Sequence, residues 1–205
     1  MRSAVALSLT LLISTTTSAN WFNEHTIDKF DGVETHRAWG FGDVIGNEYA
    51  TYGIRCDSRE KLLVTVGFAT ELEDYNAPIS IAFKVDNYDP IRFQGQLFSN
   101  TKKSGFVRAH KENLPMLNQL ILQSRKGLQV AVRVSNEQES QFIDYTVPLR
   151  GFSRFSKGTR DACGVGTVRM PMTAKDKSEL LKLNQQLTDI KQRIAEIEAK
   201  YSTGF

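Results

Sequence analysis

The feature that most restricts this chain is a period of two. Apolar residues alternate with other residues at Leu62, Val64, Val66 and Phe68, at Ile79, Ile81, Phe83 and Val85, and at Leu128, Val130, Val132 and Val134. Successive side chains of an extended backbone point to opposite faces, so each run builds a strand with one apolar side. Weaker alternation marks 33–41, 49–55, 91–98, 105–109 and 141–147, giving about eight short strands punctuated by Gly, Asn, Asp or Pro. Short connections favour antiparallel pairing. The expected fold is mainly β, within the α+β class: an antiparallel β-sandwich or curved sheet with two short helices, plus a long C-terminal amphipathic or coiled-coil helix.

Two stretches break the alternation. Asn113 is placed to cap a helix that gathers Leu114, Leu117, Leu120 and Ile121 on one side and ends near Gly127, with Pro115 in its first turn. After Pro148, Phe152, Phe155 and Ala162 are spaced for a short helix laid on the sheet, which would deliver Cys163 to Cys56.

The first residues set the expected compartment. Arg2, the apolar run from Ala4 to Ile13 and the small residues Thr17, Ser18 and Ala19 have the layout of a signal peptide, 1–19, cleaved after Ala19. The mature chain is then expected to be periplasmic or secreted and not membrane-spanning, with a disulfide-locked β-rich domain over 20–163. Its charge argues against nucleic acid, because 26 basic residues are scattered among 23 acidic ones and leave a net charge of only +3. In an oxidising space the only two cysteines, Cys56 and Cys163, are expected to form one structural disulfide. His25, His36 and His110 show no ligand spacing, so neither a metal nor a cofactor is expected. No GxSxG, HExxH or phosphate-cradling glycine loop occurs, and no catalytic residue is assigned.

The Trp39 strand, Ile54-Arg55-Cys56 running into Leu62–Phe68, Phe83-Lys84-Val85-Asp86 with Asp89-Pro90, the helix near Leu117, and Val147-Pro148-Leu149-Arg150-Gly151-Phe152 closing on Ala162-Cys163 carry a resemblance. Over about 30–163 the chain is similar to small exported bacterial proteins of the TagO/VasI type, associated with type VI secretion, and more loosely to invasion-associated locus B proteins. The resemblance implies a non-enzymatic periplasmic role with the paired cysteines as a structural bond. It does not extend to the C-terminal helix.

That helix carries the sharpest pattern. Beyond a linker at 164–173, Thr173 and Asp176 have capping-box spacing, and no Gly or Pro interrupts the chain before Gly204. Within the tail 174–205, Leu180, Leu183, Leu187, Ile190, Ile194, Ile197 and Tyr201 stand in unbroken alternation of three and four residues. With Leu180, Leu187, Ile194 and Tyr201 at a, the d positions are Leu183, Ile190 and Ile197; Arg193 falls at g and Glu198 at the following e. These residues form the expected partner-binding seam, for a second copy or another protein. Docking of the helix on its own sheet and binding to a membrane surface are the alternatives.

Arg150, Arg154, Lys157 and Arg160, interleaved with Phe152 and Phe155, form either a basic surface for an envelope glycan, lipid or acidic protein, or the solvated face of a helix. Asp86 to Pro90 reads as a hairpin turn before a calcium loop. Trp21, Phe22, Trp39 and Phe41 read as core before a recognition patch. The functional expectation is an exported, non-enzymatic envelope adaptor assembled through its helix. The alternatives are a monomeric periplasmic inhibitor or immunity protein and, less favoured, an envelope hydrolase.

Overall fold

The computed structural model describes residues 21–58, 61–167 and 174–201. The expected signal peptide, most of the linker and the Thr173 capping box lie outside the described residues or their side chains. Among the described residues nine antiparallel strands form one sheet: β1 (Trp21–Ile27), β2 (Glu34–Ile45), β3 (Glu48–Asp57), β4 (Lys61–Gly67), β5 (Pro78–Val85), β6 (Ile91–Leu97), β7 (Ser104–Arg108), β8 (Gln129–Asn136) and β9 (Phe142–Pro148). Their spatial order is β1-β2-β3-β4-β7-β6-β5-β8-β9. The chain leaves β4 for β5, returns through a meander to pair β7 with β4, and crosses back to β8 through helix α1 (Leu114–Ser124). After β9 come α2 (Phe152–Phe155) and α3 (Lys157–Cys163).

A curved sheet is therefore found, and not a two-sheet sandwich. Side chains tie the last strand back to the other end of the sheet: the Trp21 indole N–H of β1 donates to the Pro148 carbonyl at 2.7 Å, and the Tyr145 hydroxyl donates to the Thr51 carbonyl of β3 at 2.9 Å. A bulge between Phe41 and Val44 bends β2, and the Thr146 N–H donates to the Asp43 carboxylate at 2.7 Å. Glycine is needed at 42, since a Cβ there would lie 2.2 Å from the Thr146 carbonyl oxygen.

The three strongly alternating runs bury Leu62, Val64, Val66, Phe68, Ile79, Ile81, Phe83, Val85, Val130, Val132 and Val134, whereas Leu128, expected in the third run, precedes β8 and is exposed. Against them pack Leu117, Leu120 and Ile121 of α1 and Phe152 of α2, each 0% exposed. Trp21 meets Phe152 edge-on with ring centroids 5.0 Å apart, and Tyr52 stacks on Phe152 at 6.0 Å. The Tyr52 and Ser124 hydroxyls share a buried hydrogen bond of 3.1 Å, and burial pushes the Tyr52 phenol well above its usual range.

Three local expectations are corrected. β1 has no apolar period because it is an edge strand that buries only Trp21, so alternation does not reveal it. Asn113 stands at the N-terminus of α1 but does not cap it: its side chain accepts from the His110 N–H at 2.9 Å and donates to the Arg108 carbonyl at 2.9 Å. Among the four aromatics only Trp21 is core. Phe22 is exposed and stacks on the half-buried Trp39 at 5.9 Å, with Phe41 edge-on to Phe22 at 5.6 Å.

The chain divides between Thr167 and Val168 into two compact units. The second contains α4 (Ala174–Tyr201), 28 residues long, close to 42 Å at 1.5 Å per residue.

Candidate functional site

Cys56 and Cys163 form a disulfide across 107 positions, with Cα atoms 5.7 Å apart. Cys56 lies on the buried face of β3, opposite His36 of β2 and Leu62 of β4. Cys163 ends α3, where Gly164 takes the left-handed conformation, with φ at 63°, that stops the helix. The bond thus ties α3 to the sheet. A cavity of about 510 Å³ flanks it, lined in part by Leu62, Ala109, His110, Leu114 and Val165.

Beside the disulfide, the β1–β2 hairpin assembles a group that linear spacing conceals. The ladder sets His25 directly opposite His36 and Glu34 opposite Ile27, so the two imidazoles and the carboxylate share one face. The imidazole rings stack 4.1 Å apart and within 4° of parallel. His25 Nε2 is 2.8 Å and His36 Nε2 3.1 Å from the same Glu34 Oε1. The hydrogen bonds from His36 and then His25 hold the Glu34 carboxyl below its ordinary range. His110 stays apart: its Nδ1 accepts from the Asn113 N–H at 3.3 Å and lies 3.3 Å from Glu112 Oε2.

The proposed basic surface is broken up by the fold. Arg160 is buried, donating from Nε to the Ser156 hydroxyl at 3.0 Å and from its guanidinium to the Ser153 carbonyl at 3.0 Å. Burial, and then nearby Arg125, lower its pKa. Lys157 pairs with Asp161 at 2.5 Å, while Arg154 lies over the Phe155 ring at 5.5 Å. Only Arg150, Arg154 and Lys157 of the four are exposed. The Asp86 loop is a turn, its carboxylate accepting from the Leu128 and Gln129 N–H groups at 2.9 and 3.1 Å.

On α4, every residue of the expected seam is exposed, from 46% for Leu180 to 80% for Tyr201. Leu181, at a b position, is also exposed. The polar side is knit by Gln185 to Asp189 at 3.4 Å and Gln192 to Glu196 at 3.1 Å, each one helical turn apart. No helix among the described residues is long and apolar enough to cross a membrane.

Together these features define a class: an antiparallel sheet clasped by one disulfide, followed along the chain by a long amphipathic helix. No family model, curated protein or solved structure matches the chain.

Proposed function

We propose that the protein is an exported, non-enzymatic envelope adaptor whose helix α4 joins copies of the chain in a parallel coiled coil, leaving the sheet to engage an envelope component. One observation carries the reading: seven apolar side chains in strict heptad register stand exposed on a helix whose other positions are mostly polar. Exposed Leu and Ile over about 42 Å are costly to leave in water. A helix of this size also draws most of its stability from packing.

A second copy is the favoured occupant because the flanking charges suit one. In a parallel pair, Arg193 at g faces Glu198 at e of the other helix, and Gln186 faces Lys191, so neither pair sets like charges together. Covering the exposed half of each seam residue is worth about 1 kcal/mol, on the order of 10 kcal/mol for two helices before the cost of association. The disulfide supports the exported compartment. A type VI secretion role, suggested by the resemblance over 30–163, belongs to this proposal.

Sedimentation or light scattering of the mature full-length chain at micromolar concentration tests the assembly. Higher-order species that become monomeric in Leu187→Asp and in a chain ending at 173 are expected. A strictly monomeric full-length protein refutes self-association, and a one-to-one complex with an envelope protein that survives loss of the tail favours the inhibitor reading.

A further inference from the structure

We propose that His25, Glu34 and His36 form a binding site for a divalent transition-metal ion of the zinc type, built on the β1–β2 hairpin. The argument is geometric. One ring nitrogen from each histidine and one carboxylate oxygen all lie within 4.8 Å of one another. Tetrahedral zinc with bonds near 2.0–2.1 Å needs ligand atoms about 3.3 Å apart. The Nε2 to Oε1 distances of 2.8 and 3.1 Å are already close to that value. The rings now stack in parallel, so their in-plane lone pairs must turn toward a common centre, and the side chains that have to rotate are exposed or half-buried.

The ladder does most of the placing. His25 and His36 are direct cross-strand partners, so their separation is set by the sheet and not by loop conformation. Glu34 lies two residues before His36 on the same strand and therefore on the same face. His36 also stands directly opposite the disulfide-bonded Cys56 across β2–β3. Without a metal, one carboxylate oxygen accepts from two imidazole N–H groups. A metal ion would take the place of those two protons, with each ring moving its proton to Nδ1.

Donor chemistry selects the ion. Two imidazoles and one carboxylate suit zinc or copper, whereas calcium and magnesium demand more oxygen ligands. Three protein ligands leave a fourth position for water or for a group on a partner molecule.

The test is titration of the oxidised, full-length protein with Zn²⁺ alone, read by competition with a chromophoric chelator and by the imidazole NMR signals. One equivalent is expected to bind and to shift His25 and His36 but not His110. Affinity is expected to fall at least about tenfold in His25→Asn and in His36→Asn, and to fall as pH drops from about 7.5 to about 5.5, where imidazole takes up a proton. Calcium and magnesium should not compete, and His110→Asn should bind as wild type does. Near-UV circular dichroism confirms that the variants are folded, which the exposure of His25 makes the expected result. Absence of stoichiometric binding at micromolar concentration, or undiminished binding in the His25→Asn/His36→Asn double variant, overturns the proposal.

Discussion

Replacing Cys56 and Cys163 together with Ser removes the covalent link between β3 and the end of α3. The link spans 107 positions, for which the chain-entropy relation gives about 16 cal/mol/K, or about 4.8 kcal/mol at 25 °C. A two-state unit of this size carries an unfolding entropy of roughly 0.3 kcal/mol/K, so the midpoint should fall by about 15 °C. Urea unfolding of the oxidised and double-Ser proteins at one pH measures the difference directly. The denaturant dependence should steepen in the variant, because its unlinked unfolded chain exposes more surface. The variant should nonetheless fold, since Phe152, Leu117, Leu120 and the strand residues they cover owe nothing to the sulfurs. A loss below about 1 kcal/mol would refute the reasoning that the bond acts chiefly by restricting the unfolded chain.

Other outcomes follow from the same structure. Gly40→Val should cost about 2–3 kcal/mol by urea unfolding, because a Cβ there meets the Trp21 indole at 2.4 Å; an unchanged midpoint would mean that the indole does not rest on β2. Arg160→Ala should cost about 2 kcal/mol or more by leaving the Ser156 and Ser153 partners unpaired, while Arg154→Ala should stay within about 0.5 kcal/mol; equal effects would refute the division between them. Ion pairs with Arg133, Lys102 and Lys157 hold Asp144, Asp74 and Asp161 below the ordinary carboxylate range, as the imidazoles do for Glu34. Their stabilisation is complete above the unfolded value near about 4 and is lost as pH falls through the lower folded values. The thermal midpoint should therefore drop below about pH 4, less steeply in Asp144→Asn, and a profile flat to about pH 2 would contradict the pairing.

How much of this was legible in the sequence depends on where each residue sits. Strands buried on one face, such as β5 and β8, carry the period of two openly, and α4 shows its heptads because nothing else shapes that pattern. β1 did not show, because an edge strand with a single buried residue has no apolar rhythm. The cystine was legible from count and compartment alone. The imidazole pair was not, because 25 and 36 are brought together only by the hairpin register, which no spacing rule for helical or loop ligands describes. Glu34-x-His36 followed the period of a strand, and that was the one available signal. Arg160 resembled its exposed neighbours in sequence; only its Ser156 and Ser153 contacts set it apart.

The two ends of the curved sheet meet through an indole, a phenol and a carboxylate in place of a backbone ladder. Side-chain links of this kind part more readily than a run of paired amides, so deuterium should enter along the outer margin of β9 well before it reaches β5. Anything that prises the molecule apart, whether a protease or an intruding strand, would find its first foothold there.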